Sequence, residues 1–451
     1  MSTGPRSFLG PVIFLLLVLT PLVVHAQSVQ EALLRAKPAV AVVVAEVVAD
    51  VTADCGAGQR RTAQAAPFRE TGTGWFIASS GWLITNAHVV AAVQEPSPHM
   101  ETTLRESGIA AACGDARAVR GVEVKTASSV FVILSNGRRL TARIVKYSPP
   151  VAGEAMSGRN LALLRVEASD MPTLPLGGSA RTKIGDPLHT IGFPNVVMSH
   201  ELLSASAQVE ASITSGSISG FKEDVSGQAV IQTDASAAAG DSGAPAVNER
   251  GQVIGVLTFV SRAPAEGGVV QGFNFIIPIS AILDFVKDAG FTPGEAGAFN
   301  RAWWAALGAF FAGDYAGASG PLREANRIVP DLPDVRRIAA ENDERIKNPP
   351  PRPFPWRAMG LALTAVGAIA STFAWTDWWK RNRFRVRPRD VARWLDSGES
   401  APVVLDVRDS DTYRRSPVRI ARALHVPAER LEQGDAVVPV ETDRAVVAYC
   451  T

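Results

Sequence analysis

The sequence predicts a multidomain chain: an all-β sandwich or barrel, then helices, one membrane-crossing helix and a short further piece. Three observations lead there. From Thr71 to Leu283, short apolar runs such as TGWFIA, WLITNAHVV, LALLRV, VIGVLTFV and GFNFIIP are separated by Gly, Pro, Ser and Asn. Many short strands with turn chemistry between them mark an all-β unit. From Ala298 to Lys347 the apolar residues recur at helical spacing instead, and Trp356 to Trp375 is apolar over about the length a bilayer requires. At 451 residues the chain exceeds what one compact core holds.

The elements follow in order. Phe8 to Gln27 is an apolar segment preceded by Arg6 and ending Val24-His25-Ala26, which reads as a signal peptide over 1–26. Left uncleaved it would be an anchor, a reading that Pro11 and Pro21 weaken. Residues 27–64 form an N-terminal segment, helical from Ser28 to Leu34 and strand-like from Val40 to Val48. The β unit is placed at 65–288, with a hairpin at Asn136-Gly137 and a loop insertion from Pro96 to Arg120. At 296–347, Ala302, Ala306, Phe310 and Phe311 precede a break at Gly313-Asp314-Tyr315. A second helix then carries Leu322, Ala325 and Ile328 to Pro330. This reads either as one tetratricopeptide-like helical hairpin or as a hairpin packed on the β unit or on a protein partner. A proline-rich spacer, 348–355, leads to the spanning helix at 356–376. Lys380, Arg381, Arg383, Arg385, Arg387 and Arg389 follow it, a denser positive cluster than the one before it. The positive-inside rule therefore puts later residues in the cytoplasm and the β unit outside.

Net charge is +1, so no global field suggests nucleic acid, and no phosphate loop, metal cluster or cofactor motif is present. Three cysteines are too few for a disulfide scaffold. Cys55 and Cys113 nonetheless fall in the exported part, where a bridge between them would persist.

The chemistry-bearing segments are Thr85-Asn86-Ala87-His88-Val89-Val90 and Gly240-Asp241-Ser242-Gly243-Ala244-Pro245, in the order His then Ser. A serine hydroxyl needs an imidazole to take its proton, and glycines beside it allow a turn that aims the N–H groups of Gly240 and Ser242 at one point. This order, in strand context, is that of trypsin-like serine proteases.

TGTGWFI, TNAHVV, LALLRV, IGFP, IQTDASAAAGDSGAPAVNERGQVIGV and GFNFIIP together resemble the protease domain of the HtrA/Deg-type periplasmic proteases. The resemblance implies a trypsin-like double β-barrel with the site between the barrels, acting on proteins or peptides without a cofactor. It places the substrate pocket near Val256–Val260 and Gly272–Ile276, whose mostly apolar residues imply an apolar P1 preference. Where most members carry a PDZ-type domain, this chain has helices. One departure bears on catalysis. The family's acid precedes an apolar run of this kind, but Leu161-Ala-Leu-Leu-Arg-Val166 is preceded by Asn160. Glu154 and Asp170 are off the matching position. An Asn can orient His88 through its carbonyl, or fix the wrong tautomer through its amide, and it carries no charge for the imidazolium.

Beyond the span, VVLDVR from Val403, Asp411-Thr412-Tyr413, Ile420 to Pro427, and Ala445 to Cys450 resemble a partial α/β rhodanese domain over 386–451. That resemblance implies a persulfide-carrying role for Cys450. The sequence given stops at Thr451, without the anion-binding loop that follows such a cysteine, so sulfurtransferase activity is not expected of it. The leading expectation is a serine endopeptidase tethered to the inner membrane, with the protease domain on the periplasmic side. The alternatives are a pseudoprotease that binds peptides or partners, and a sulfurtransferase with an accessory outer domain.

Overall fold

The computed structural model describes residues 28–56, 58–114, 119–149, 159–178, 182–224, 227–262, 269–350, 356–396, 398, 401–435, 438 and 444–450. The signal-like segment 1–26, Glu154 and residues 351–355 of the proline-rich spacer lie outside these. The chain divides into two compact units, residues 1–350 and 351–451.

The first unit opens with helix α1 (Val29–Ala36), capped by the Ser28 hydroxyl, which accepts the Glu31 N–H at 3.1 Å. Strand β1 (Val40–Asp54) follows, rich in valines whose branched side chains suit a pleated, packed surface. It pairs with β2 (Arg60–Gln64) in a hairpin and with β3 (Phe68–Ala78) along Val40 to Val47. β4 (Trp82–Thr85), β5 (Arg120–Ile133), β6 (Arg139–Ser148) and β7 (Leu161–Val166) complete the sheet, ordered β2-β1-β3-β4-β7-β6-β5. A further β1–β5 pairing, Val42 opposite Ile133, closes it into a barrel. β1, which lies in the N-terminal segment 27–64, thus takes part in the ring.

The expected loop from Pro96 to Arg120 is largely a helix, α2 (Pro98–Cys113), started by Ser97, whose hydroxyl accepts the Met100 N–H. It lies on β1 so closely that a Cβ at Gly108 would meet the Val51 side chain at 2.1 Å. Met100 and Leu104 bury against Val47 and Val51 beneath it. Cys113, at its last residue, is bonded to Cys55 just past the end of β1, with Cα atoms 5.2 Å apart.

The second barrel comprises β8 (Pro187–Gly192), β9 (Ser212–Glu223), β10 (Ala229–Thr233), β11 (Pro245–Val247), β12 (Val253–Arg262) and β13 (Val269–Pro278). It closes in the order β10-β13-β12-β11-β8-β9. Helix α3 (Ile279–Val286) sends Ile282, Phe285 and Val286 into a cluster shared with Trp75, Ile77 and Leu163 of the first barrel. One buried cluster thus spans both barrels, beside clusters that belong to each alone.

Three helices follow rather than the expected two: α4 (Ala298–Phe311), α5 (Tyr315–Ile328) and α6 (Pro333–Lys347). Pro330 ends α5, and Pro333 at the first position of α6 starts the next. They are not a separate module. Phe299, Trp303, Phe310 and Ile338 belong to the same buried cluster as Phe76, Leu83, Val89 and Val90. The Trp303 indole N–H donates to the Leu34 carbonyl at 2.9 Å. Lys37 reaches Glu210 at 2.7 Å and Asp334 at 3.2 Å, and Arg337 pairs with both carboxylates.

In the second unit, α7 (Trp356–Asn382) is exposed along its length and contains a stretch, Ala358–Asn382, long and apolar enough to cross a membrane. It runs six residues past the expected end at 376. After α8 (Pro388–Leu395), three short parallel strands, β14 (Val403–Asp406), β15 (Leu424–His425) and β16 (Val446–Tyr449), form a sheet ordered β15-β14-β16. Asp406 is buried and held at 2.6 Å by Arg408 and by the Tyr449 hydroxyl. The Arg408 guanidinium, with Tyr449, keeps its carboxyl well below the usual carboxylate range.

Candidate active site

His88 sits in a single helical turn, Ala87–Val90, entered from β4. Val89 and Val90 anchor that turn in the core. Asn160 lies at the entry to β7, which pairs with β4, so the two strands bring residues 72 positions apart side by side. Its backbone has φ 42, a left-handed conformation that Asn and Asp adopt more readily than other side chains.

The Asn160 amide is 1% exposed, and its surroundings orient it. The His88 backbone N–H can only donate, and it donates to Asn160 Oδ1 at 3.1 Å. Asn160 Nδ2 donates to Thr258 Oγ1 at 3.1 Å. The ring atom His88 Nδ1 then stands 3.2 Å from Oδ1 and 3.0 Å from Nδ2. Both tautomers are therefore accommodated. With the proton on Nδ1 donated to Oδ1, Nε2 is free to accept from a hydroxyl. With Nδ1 accepting from Nδ2, Nε2 carries the proton and cannot. Asn86 braces this arrangement, its Nδ2 donating to the Asn160 carbonyl at 3.0 Å and standing 3.4 Å from Thr258 Oγ1.

Burial pushes the His88 pKa below its ordinary value, partly offset by the bond to Asn160, so the ring is neutral at pH 7. Among the described residues no carboxylate hydrogen-bonds this imidazole. Asp170 is occupied elsewhere, accepting the Ala298 N–H at 2.9 Å at the start of α4.

The serine turn is built on a different principle. Gly240 and Gly243 have φ of 99 and 90, and a Cβ at Gly243 would stand 2.0 Å from the Thr73 carbonyl oxygen. Only glycine fits there. Thr73, fully buried, binds the turn to β3: its N–H donates to the Ser242 carbonyl at 2.8 Å and its hydroxyl to the Gly240 carbonyl at 2.8 Å. Two further carbonyls are held, that of Ala239 from outside the turn and that of Asp241 across it. Asn195 N–H donates to Ala239 at 2.7 Å, and Ala244 N–H to Asp241 at 2.9 Å. In a trans peptide the N–H points away from its C=O. Tethering those carbonyls therefore turns the N–H groups of Gly240 and Ser242 the opposite way, and among the described residues neither has an internal acceptor. They are free to hold an oxyanion.

Asp241, inside the turn and 7% exposed, accepts the Ala238 N–H at 2.9 Å. Burial raises its pKa to about 6, with the Ala238 bond opposing. Among the described residues no cation pairs with it. Within the expected pocket segment Gly272–Ile276, Asn274 is fully buried, with Nδ2 donating to the Ala235 carbonyl at 2.6 Å and Oδ1 unpartnered. This segment thus carries a buried polar side chain, as Val256–Val260 does at Thr258.

The motif residues His88, Asn160, Gly240 and Ser242 fall at one junction between the barrels, where Gly243 abuts the Asn86 backbone. The sequence reading missed Thr73, Asn86 and Thr258. Thr73 and Thr258 sit in Gly-rich or apolar strand sequence and Asn86 just past the end of β4, and their polarity there is the available signal.

Two closed six-stranded barrels with an imidazole on one and a glycine-framed serine on the other are the architecture of a trypsin-like serine protease domain. Residues 72–256 match the family model described as a trypsin-like peptidase domain. Curated relatives include a probable periplasmic serine endoprotease, DegP-like, of Hahella chejuensis, 28% identical over 252 residues that cover 55% of this chain and 40% of the relative. A protein of the same description from Chlamydia trachomatis is 29% identical over 224 residues, 49% of this chain and 33% of the relative. The chain thus spans less than half the length of these relatives. Among solved structures, the HtrA-type protease AlgW with tripeptide aligns at 23% identity and TM-score 0.36, covering 58% of this chain and 62% of that one.

Proposed function

We propose that this chain is a membrane-tethered, extracytoplasmic serine endopeptidase that cleaves proteins or peptides at a rate limited by Asn160. The observation that carries the reading is the serine turn, where the carbonyls of Ala239, Gly240, Asp241 and Ser242 are held and the Gly240 and Ser242 N–H groups have no internal acceptor among the described residues. In the reaction Ser242 Oγ attacks the scissile carbonyl, and its proton passes to His88 Nε2. Gly240 and Ser242 N–H groups take the oxyanion, and His88 returns the proton to the leaving amine. The amide of Asn160 supports the productive tautomer through Oδ1 but adds no charge to the imidazolium. In a trypsin-type triad the exchange of the acid for its amide costs ~10⁴ in kcat.

Tethering is supported by α7 and by the arginine-rich stretch after it, and placement in the periplasm by the descriptions of the relatives. An apolar P1 preference remains part of the proposal, modified by Asn274. The piece from 386 to 451 is read as rhodanese-like on its parallel sheet and on exposed Cys450 directly after β16; we assign it no activity.

Labelling of the detergent-solubilised full chain with a fluorophosphonate tests the proposal. Slow, saturable modification that Ser242→Ala abolishes and His88→Ala depresses is expected. No labelling even after Asn160→Asp would favour the second reading, a pseudoprotease, whose supporting observation is the uncharged Asn160 beneath His88.

A further inference from the structure

The end of α7 passes into a strip of alternating character. From Arg383 to Arg389 every second residue is an arginine, with Phe384, Val386 and Pro388 between them. All are exposed, Phe384 at 80% and Val386 at 38%. Residues 385–387 form neither helix nor turn, and Arg387 is extended, with φ −74 and ψ 139. Successive side chains of an extended chain point to opposite sides, so the alternation separates Arg385 and Arg387 from Val386. The guanidinium of Arg383 stands over the rings of Trp379 and Phe384, 5.4 and 4.5 Å from their centroids, and joins the strip to the helix end. Little of this charge is quenched by ion pairs. Arg381 pairs with Asp377 at 3.0 Å, and Arg393 with Asp390, the one acidic residue between Lys380 and Arg393. Lys380, Arg383, Arg385, Arg387 and Arg389 have no carboxylate partner among the described residues.

We infer that this strip binds the phosphate headgroups of anionic phospholipids in the leaflet where α7 ends. The inference rests on the tether proposed above. Trp375, Trp378 and Trp379, all exposed near the end of α7, have the amphipathic rings that settle at a membrane–water interface. Chain length then fixes the neighbour. Arg385 is the third residue past Asn382 and Arg389 the seventh, so they stand at most about 11 and 25 Å from the helix end. A guanidinium fork matches phosphate oxygens bidentately, while Phe384 and Val386 suit the acyl boundary beneath the headgroups. A zwitterionic headgroup carries its own cation beside the phosphate, whereas an anionic one leaves that charge for the arginines. A soluble polyanion would use the arginines and leave Val386 in water. Orienting a span takes only a count of positive charges. Interleaving them with apolar residues adds a second face that the count does not require.

The purified full chain, reconstituted into phosphatidylcholine vesicles, tests this. A trace of spin-labelled phosphatidylglycerol or spin-labelled phosphatidylcholine is added, and electron paramagnetic resonance reads how much of each is motionally restricted by the protein. The wild type should restrict phosphatidylglycerol about fivefold more than phosphatidylcholine, and added salt should reduce that ratio. Arg385→Gln/Arg387→Gln/Arg389→Gln leaves Lys380, Arg381 and Arg383 to orient the span, and should bring the ratio close to one. Phe384→Ser/Val386→Ser keeps every charge and should lower the ratio less. Equal restriction of the two lipids by the wild type, or a triple variant as selective as the wild type, overturns the inference. So does a preference for phosphatidylglycerol that polyuridylate abolishes at equal phosphate, which would make RNA the occupant.

Alkaline carbonate extraction of the same vesicles tests the tether separately. A chain that resists extraction yet shows no lipid preference sinks the headgroup assignment and leaves the tether standing. A chain that carbonate strips, but that selects phosphatidylglycerol beforehand, does the reverse.

Discussion

The two halves of the site solve opposite problems. In the half around His88, the polar groups are neutral and largely satisfied by one another: Asn160, Thr258 and Asn86 are joined by amide and hydroxyl bonds, with Asn86 Oδ1 left unpartnered. On the second, the serine turn is held open, with glycines at φ 90 and 99, two N–H groups without internal acceptors and a buried carboxylate at Asp241 without a cation. Unsatisfied polar groups are costly unless a ligand uses them. The difference locates what limits the chemistry. On the proposed function, the half that would stabilise a developing oxyanion has its donors free, whereas the half that would move the proton has no carboxylate at the imidazole among the described residues.

The largest effect should come from breaking the open half. In Gly243→Ala the new methyl would meet the Thr73 carbonyl, displacing Ser242 and its N–H. Peptidase activity should fall about 10³-fold or more while far-UV circular dichroism is retained. Residual activity close to wild type would show that the turn is not held as described.

Restoring the missing charge on the closed half comes next. Asn160→Asp keeps the left-handed backbone within what its side chain tolerates, and should raise kcat by ~10² or more. An unchanged rate in a folded variant would mean that another group orients His88.

The same pair of proteins has distinguishable pH profiles. His88 works as a base, so the rate rises with pH as the ring loses its proton. Burial lowers that pKa, placing the acid limb of kcat/KM below the ordinary histidine value in the wild type. The carboxylate of Asn160→Asp stabilises the imidazolium and should move the limb upward by about one unit or more. A limb that stays put would argue that the variant's carboxylate does not face the ring.

The smallest effect concerns stability. Asp241 has its folded pKa raised to about 6, so between pH 4 and 6 the folded chain keeps a proton that the unfolded chain has lost. Wild-type stability therefore falls through that window as pH rises and stays lower above it. Asp241→Asn lacks this dependence and should melt a few degrees higher at pH 8, a gain of up to about 3 kcal/mol that fades toward pH 4. Equal melting temperatures at both pH values would show that Asp241 is solvated or paired.

What the sequence disclosed divides along similar lines. His88, Asn160, Gly240 and Ser242 were legible because strand-turn chemistry is local: each lies in a short segment whose composition announces its turn. Thr258 and Thr73 were not, since a threonine inside VIGVLTFV or TGTGWFI reads as an ordinary strand residue until pairing brings it to Asn160 or Ser242. The helix at Pro98–Cys113 was taken for a loop because its apolar face is narrow, with Met100 and Leu104 as its main buried contacts. The third helix, Pro333–Lys347, is mostly charged, and its two buried aliphatic residues, Val335 and Ile338, gave little periodic signal.

Trp303 also bears on the order in which this enzyme becomes complete. Val89 and Val90, which seat the His88 turn, share their core with Phe299, Trp303 and Ile338, all encoded far downstream. At ordinary synthesis rates Trp303 is added roughly 10–40 s after His88. Until it arrives, the wall behind the imidazole is open to water and the first barrel's core is unfinished. A nascent chain that has already made Ser242 therefore still lacks part of the scaffold that seats His88.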